Sequence, residues 1–180
     1  MKSFLTKRLC NPKWWFSQVI TLLLIVVVIT AVSLYQQRNM ASDFAPELVA
    51  VTLSGERYDL SEQYKQGPVL VYFWGSWCGI CSLTSPAISD IAQDVAGSGS
   101  SVLTVALSSG DSHEVQAYLD KHNYSFTTLN DNTGEISRRW GVAVTPSIFY
   151  LNTKGKIVLV SSGLSSEWGM RIKLWLARFL

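Results

Sequence analysis

The chain has 180 residues, of which 48% are hydrophobic and 16% are charged, and its formal net charge is +2 at pH 7. This length allows one domain together with an additional segment. No basic stripe or basic–aromatic pattern occurs, so nucleic acid is not a predicted partner. The excess of hydrophobic residues is concentrated near the N-terminus.

An uninterrupted apolar segment accounts for this concentration. Residues 19–35 read VITLLLIVVVITAVSLY, and no charged residue lies between Lys13 and Arg38. A helix needs ~20 apolar residues to cross a bilayer core. The segment is longer than the ~7–15 apolar residues of a signal peptide, and residues 31–33 form only a passable cleavage site. We therefore predict an uncleaved membrane anchor, with a cleaved signal peptide as the alternative.

Charge predicts the orientation of this anchor. Every charged residue before it is basic, whereas the residues after position 37 carry all 13 acidic and 11 of the 15 basic residues, a net charge of −2. Positive charge stays on the cytoplasmic side of the membrane. We predict a cytoplasmic tail at 1–17 that includes Cys10 as a spare thiol, an anchor at 18–36, a tether at 37–45 and an outer domain at 46–180.

Four strands are predicted in the outer domain. The first two are continuous apolar runs, which are typical of buried strands. The last two flank a polar turn at 152–155 and form a predicted hairpin. The strands span residues 68–73, 102–107, 147–151 and 156–161.

Four helices are predicted between and after these strands, bounded by capping residues such as Asp111 and by glycines. The first of them places Ile80, Leu83 and Ile88 on one side. The helices span residues 78–95, 112–122, 133–140 and 165–179. A βαβ unit followed by an antiparallel hairpin and a closing helix predicts an α/β sandwich with a mixed sheet.

Two cysteines lie between the first predicted strand and the first predicted helix, in YFWGSWCGIC at 72–81. Cys78 falls at the helix N-terminus, where unpaired N–H groups and the helix dipole favour an anion. A thiolate there has a lowered pKa and attacks disulfides. Cys81 lies one turn later, where it can resolve the mixed disulfide. We predict that this pair catalyses thiol–disulfide exchange.

Three other interpretations of the pair stay open. A structural zinc site usually needs four ligands, and His113 and His122 fall on a different predicted helix. The two thiolates could hold monovalent copper, which soft sulfur suits. A permanent structural disulfide would close a loop too small to constrain the unfolded chain much. We predict no metal site and no cofactor other than the redox-active Cys78–Cys81 disulfide.

A proline before the third strand is the second candidate feature. Thr145-Pro146 is compatible with a sheet edge or a tight turn, and its peptide bond could be cis or trans. Beside the cysteines, it would expose the Thr145 backbone to an extended partner chain. Trp77 is predicted to be exposed as an apolar rim for partners, and Trp74 to pack in the core. The helical tryptophans are predicted to contact the core: Trp140, Trp168 and Trp175.

Together these residues resemble the thioredoxin-like superfamily, and in particular its membrane-tethered bacterial branch of TlpA, ResA and cytochrome-maturation thioredoxins. Residues 77–81 match the W-C-x-x-C motif, Pro86 matches the helix-kinking proline, and Thr145-Pro146 matches the cis-proline loop. Two longer stretches are similar to the same branch: residues 45–60 and 130–158.

The resemblance implies a thioredoxin-like three-layer sandwich and a thiol–disulfide oxidoreductase of the bacterial inner membrane, with its catalytic domain in the periplasm. It implies protein disulfide clients and a membrane electron-donor protein as partners, substrate-binding roles for Thr145 and Pro146, and a structural role for Pro86. Residues 74–88 are similar to the suppressor-of-copper-sensitivity D subfamily, which implies a link to copper tolerance.

Three departures from the superfamily qualify the function. Tyr72 stands where thioredoxin has a buried Asp, and Ser147 stands where cytochrome-maturation members often have Glu. Gly79-Ile80 provides neither the ResA-type acid nor the histidine of strong oxidants. We therefore favour a reductant, with a copper(I)-binding module and an apocytochrome c thioreductase as alternatives.

Overall fold

The computed structural model describes residues 12–37, 40–41 and 43–180, and Cys10 lies outside them. The chain forms two units, divided after Arg38.

Helix α1, Pro12–Gln37, is the described part of the first unit. Its segment Trp15–Val32 has a mean hydropathy of 2.4 and no buried residue. Among the residues that the structure describes, this is the one helix long and apolar enough to cross a membrane. A signal sequence would have the same properties, so the segment is compatible with both predictions made for it.

A two-stranded hairpin and a five-stranded sheet make up the β-structure of the second unit. The strands are β1 Val49–Val51, β2 Arg57–Asp59, β3 Val69–Trp74, β4 Ser101–Leu107, β5 Thr127–Asp131, β6 Ser147–Leu151 and β7 Ile157–Ser162. The larger sheet has the order β5-β4-β3-β6-β7. Strands β3, β4 and β5 are parallel, whereas β6 is antiparallel to both β3 and β7. The predicted mixed sheet is confirmed.

Five helices are described in the second unit: α2 Leu60–Gln66, α3 Gly79–Val95, α4 Ser112–His122, α5 Glu135–Arg139 and α6 Glu167–Leu176. Asp111 caps α4 through a complete capping box with Glu114, and Ser166 caps α6. These side chains accept hydrogen bonds from backbone N–H groups that have no partner inside the helix, which is why the predicted helix starts agree with the observed ones.

Strand β3 separates two hydrophobic clusters because its side chains alternate between the two faces of the sheet. Leu70, Tyr72 and Trp74 point to one cluster, together with residues of α3, α4 and α6. Val69, Val71 and Phe73 point to the other, which contains Trp140. All six side chains are fully buried. The result is the predicted three-layer α/β sandwich.

The segment predicted as a tether, 37–45, is partly packed against the outer domain. Met40 is buried, and the Ala41 N–H donates to the carbonyl of Trp140. Phe44 pairs with Lys156 at the edge of the sheet. These contacts make the second half of the predicted tether part of the folded unit.

Two of the predicted core contacts are wrong. Trp140 is buried as expected, but Trp168 and Trp175 are exposed. Helix α6 buries Met170, Leu174 and Ala177 instead. Each tryptophan is one or two positions from a buried residue, and residues at that separation point to different sides of a helix, so Trp168 and Trp175 lie on the side that faces away from the core.

Candidate active site

The turn between β3 and α3 places Cys78 at the start of a helix. The Cys78 N–H donates to the Gly75 carbonyl at 3.0 Å, and its own carbonyl accepts from Ser82 at 3.2 Å. Cys78 has an extended backbone and is the N-cap residue of α3. Its Sγ accepts from the Cys81 N–H at 3.2 Å. The sulfur therefore occupies the position of a capping oxygen, where the positive end of the helix dipole stabilises negative charge.

The two cysteines form a disulfide with a Cα–Cα distance of 5.2 Å, but they differ in exposure. Cys78 is 8% exposed and Cys81 is 1% exposed. Both residues are buried, and Cys78 is the less completely covered of the two.

Tyr72 lies beneath the disulfide, where thioredoxin has a buried carboxylic acid. Its hydroxyl donates to the Cys81 carbonyl over a long 3.4 Å and lies 3.1 Å from the Ser85 hydroxyl. Burial raises the pKa of the Tyr72 hydroxyl well above its ordinary value of 10.0, and the hydrogen bond to Ser85 offsets only part of this effect. The group therefore stays protonated at neutral pH and supports the helix start without carrying charge.

The Thr145-Pro146 loop lies at the same end of the sheet as the cysteines. Ser147 pairs with Phe73 across β3 and β6, so the residues before Ser147 lie beside the end of β3. The Thr145-Pro146 peptide bond is cis. The Pro146 carbonyl accepts from Gly163 at 2.9 Å. The half-buried Thr145 makes no backbone hydrogen bond with another described residue, so its N–H and carbonyl are available to a bound chain.

The Trp77 side chain lies over the end of the neighbouring strand, β4. Its Nε1 donates to the carbonyls of Leu107 and Ser108, both at 3.1 Å, while most of its side chain is exposed. A Cβ at Gly75 would lie 2.6 Å from the Trp77 ring, so glycine is needed there. Trp74, in contrast, is fully buried and donates to Thr104. The predicted exposure of Trp77 and the predicted burial of Trp74 are confirmed, whereas the role of Trp77 in binding partners stays a prediction.

Exposed apolar side chains lie at the end of the sheet that carries the disulfide, and most of them were missed from the sequence. We name Trp77, Ile80, Leu83 and Leu164 the site rim. Their exposed fractions lie between 47% at Ile80 and 69% at Leu83 and Leu164. The apolar periodicity of 80–95 grouped Ile80 and Leu83 with Ile88, but only Ile88 is buried. The first two turns of α3 are instead buried through Cys81, Thr84 and Ser85.

Pro86 and the histidines lie outside the reactive centre. Pro86 is an exposed residue inside α3, which continues through it from Gly79 to Val95. His113 is exposed on α4, and His122 contacts the Tyr118 carbonyl at 2.8 Å. Within residues 12–37, 40–41 and 43–180, no group of three or more His, Cys, Asp or Glu side chains could hold a metal ion. A metal bound at the site would have the two cysteine sulfurs as its protein ligands.

This combination of features defines a class of protein. A C-x-x-C pair at a helix start, next to a cis-proline loop on a mixed sheet, is the arrangement of thioredoxin-like thiol–disulfide oxidoreductases.

Comparisons with known proteins give the family. The chain belongs to the Redoxin family, whose profile matches residues 39–167. It is 40% identical over 160 residues to a "Thioredoxin-like protein" of Haemophilus influenzae, covering 89% of this chain and 93% of that protein. It is 28% identical over 124 residues to the thiol-disulfide oxidoreductase ResA of Bacillus subtilis, covering 68% of each chain.

A solved structure supports the same assignment. The chain resembles a secreted Mycobacterium tuberculosis disulfide oxidoreductase homologous to E. coli DsbE, with a TM-score of 0.63 and 25% identity. The match covers 72% of this chain and 96% of that one. The protein is therefore a thioredoxin-like thiol–disulfide oxidoreductase.

Proposed function

We propose that this protein is a membrane-anchored reductant of protein disulfides that works in the periplasm through Cys78 and Cys81. The proposal rests on the different positions and different exposure of the two cysteines. Cys78 caps the N-terminus of α3 and is the more exposed, whereas Cys81 is almost completely buried. The first is suited to attack and the second to resolution.

Two thiol–disulfide exchanges complete the reaction. The Cys78 thiolate attacks one sulfur of a client disulfide, which forms a mixed disulfide and releases the other client sulfur as a thiolate. Cys81 then attacks the Cys78 sulfur as a thiolate, forms the Cys78–Cys81 disulfide and releases the second client sulfur. Two electrons pass to the client. Tyr72 has a raised pKa and stays protonated throughout, so it is not the base that deprotonates Cys81.

An extended segment of the client fits the surface around Cys78. The unpaired backbone of Thr145 offers one donor and one acceptor at the sheet edge, as in recognition by an added strand. The site rim offers apolar contacts to the side chains on either side of the client cysteine. Backbone pairing accepts many sequences, so this arrangement suits several clients.

A membrane partner would return the protein to its reduced form. The segment 18–36 would anchor the chain with residues 1–17 in the cytoplasm and the redox domain in the periplasm, so a membrane electron-donor protein could reduce the Cys78–Cys81 disulfide. The link to copper tolerance rests on the similarity of residues 74–88 to the copper-sensitivity subfamily.

Trapping the mixed disulfide tests the redox proposal. In Cys81→Ala, the client should remain covalently attached to Cys78, because no second sulfur can release it. The measurement is a reducible, higher-mass species in cells, followed by identification of the attached protein. Cys78→Ala is the matched control and should trap nothing. An equal yield from both variants, or none from Cys81→Ala, would contradict the mechanism.

The two alternative functions give different results. Tight stoichiometric binding of copper(I) without turnover of a disulfide substrate would identify a copper-sequestering module. Loss of haem staining of c-type cytochromes on deletion of the gene would identify apocytochrome c as the client.

Alkaline carbonate extraction tests the anchor. An uncleaved anchor keeps the full-mass chain in the membrane fraction, whereas a cleaved signal peptide yields a shorter soluble chain.

A further inference from the structure

Helix α6 is apolar on two opposite faces. Met170, Leu174 and Ala177 are buried against the sheet and α3. On the other face and in the turn that follows the helix, four side chains recur at intervals of four, three and four residues, and we name them the α6 stripe: Trp168, Ile172, Trp175 and Phe179. Each is more than half exposed, from 54% at Ile172 to 77% at Trp168. This spacing aligns them along one side of a helix. An amphipathic helix would have polar residues on this side.

The α6 stripe extends away from the redox centre. Arg171 pairs with Asp94 at 2.7 Å, and Asp94 lies near the end of α3. Sixteen residues of helix separate Asp94 from Cys78, a distance of ~24 Å. Arg178 donates to Ser100, just before β4. Most of the stripe therefore lies too far from Cys78 to contact the reacting sulfurs of a client.

The end of the stripe lies beside the point where the chain enters the domain from α1. Leu180 lines one cavity together with Asp43 and Lys156. The Ile157 N–H donates to the Asp43 carbonyl at 2.7 Å. The exposed Phe44 pairs with Lys156 at the same place. Residues just after α1 and residues at the end of the stripe thus share one corner of the domain.

The length of chain between the apolar helix and this corner is short. Eight residues lead from Val32, the end of the apolar segment, to the buried Met40. A chain of that length spans at most ~28 Å. If α1 is inserted in a bilayer, as the proposed function requires, this corner of the domain is held within that distance of the end of the apolar segment. A surface so close to the membrane meets it at a high effective concentration.

The residue types of α6 match the interface of a bilayer. Tryptophan is enriched at the level of the lipid headgroups, and phenylalanine occurs with it on the apolar face of helices that lie there. Helices that lie in this interface combine such residues on one face with Lys and Arg beside it. Among the basic residues of α6 and the residues after it, Arg171 is paired with Asp94 and Glu167. Lys173 and Arg178 bond the hydroxyl groups of Ser161 and Ser100 and keep their charge, which attracts anionic headgroups.

We propose that the α6 stripe rests on the membrane surface and forms a second, reversible contact with the bilayer beside the anchor. This inference rests on the membrane anchoring in the proposed function. The contact would fix the orientation of the redox domain relative to the bilayer, and so the direction from which clients and the electron donor reach Cys78.

Site-directed spin labelling of the full chain in vesicles containing anionic lipid tests the proposal. The label is attached at Ile172→Cys in a background of Cys10→Ser, Cys78→Ser and Cys81→Ser. The matched control is Glu135→Cys, which is exposed on α5 against the opposite face of the sheet. Collisions with oxygen, which dissolves in lipid, and with a water-soluble nickel complex are compared at the two positions.

We expect the ratio of oxygen to nickel collisions to be severalfold higher at position 172 than at position 135. Equal ratios would overturn the proposal. Low access to both reagents with spin–spin broadening at position 172 would show a second copy of the chain on the stripe, and would also overturn it. Flotation of the carbonate-washed vesicles is scored separately. A chain that does not float contradicts the anchor, whereas one that floats with a water-exposed label contradicts only the stripe.

A second measurement keeps the native cysteines. Brominated lipids quench tryptophans that contact acyl chains. Changing Trp168→Phe and Trp175→Phe together removes the emission of these two tryptophans. We expect brominated lipids to quench that part of the emission of the wild-type chain. If these lipids do not quench that emission but water-soluble acrylamide does, the stripe faces water and the proposal fails.

Discussion

The site rim and the α6 stripe are both exposed apolar surfaces, but their neighbours differ. The rim surrounds a reactive sulfur and an unpaired segment of backbone at Thr145. The stripe has no reactive group within it and ends at the corner of the domain that contains Asp43 and Lys156. Exposure alone does not show what a surface contacts. The groups beside each surface support a different proposed partner, a client at the rim and a bilayer at the stripe.

The faces beneath the two surfaces differ as well. The buried face of α3 contains hydroxyl groups at Thr84, Ser85 and Ser89, whereas that of α6 is apolar. Hydroxyls under the redox site give polar partners to Tyr72 and to the helix backbone. A buried polar network supports one defined geometry only when all of its members are paired. An apolar helix face can be held by packing alone.

The largest expected effect distinguishes the redox site from the α6 stripe. Cys78→Ser should reduce turnover of a small disulfide to the uncatalysed rate, because the attacking sulfur is lost. The double change Trp168→Ser with Trp175→Ser should leave this rate unchanged. The measurement is reduction of a glutathione-type mixed disulfide by the purified full chain. A fall in rate in the double variant would show that the stripe is part of the redox site.

A smaller effect is expected when the site rim is altered. Leu83→Ser should raise the KM for a protein disulfide about fivefold, because a side chain that becomes partly buried against the client contributes ~1 kcal/mol. The kcat for a small disulfide should not change. Val51→Ser, at an exposed apolar residue of β1, is the control. If both substrates respond equally, Leu83 supports the helix start and does not bind the client.

The smallest effects concern the tyrosines beneath the two surfaces. Tyr72 has hydrogen-bond partners, whereas the buried Tyr150 hydroxyl, below α6, has none of normal geometry among the described residues. Tyr72→Phe should lower the free energy of unfolding by ~1 kcal/mol, the usual net value of a buried hydrogen bond. Tyr150→Phe should cost less than half of that. Urea unfolding of both variants makes the comparison, and equal losses would contradict it.

The same two tyrosines should make the free energy of unfolding depend on pH in the alkaline range. Burial raises the pKa of both hydroxyls above the ordinary value of 10.0. A weak interaction with Ser161 lowers the pKa of Tyr150, but by less than burial raises it. The folded state then binds the proton more tightly than the unfolded state. The stabilisation is complete below pH 10 and is lost as the pH rises above it. Each Phe variant should lose less stability than the wild type between neutral pH and pH above 10, and an unchanged slope would show that the hydroxyl ionises normally.

The errors in predicting the site come from reading one helix face as the core. Spacing placed Ile80 and Leu83 with the buried residues further along α3, but the buried side of this part of the helix is formed by Cys81, Thr84 and Ser85, so Ile80 and Leu83 lie on the exposed side. The hydroxyl residues Thr84, Ser85 and Ser89 lie on the buried face of α3, and their spacing in the sequence could have identified that face. Strand β5 was missed because its sequence, TTLND, is mostly polar, and its burial depends on pairing with β4.

The sequence by itself determined the apolar N-terminal segment, the buried strands, the helix starts at Asp111 and Ser166, and the position of Cys78 before a helix. These features depend on groups close together in the chain, which is why local patterns predict them. Tertiary structure alone decided that Cys81 is more completely covered than Cys78, that Thr145 lies beside the end of β3, and that Trp168 and Trp175 face outward. Each of these depends on which distant segment packs against the residue, and the spacing of neighbouring residues in the sequence does not contain that information.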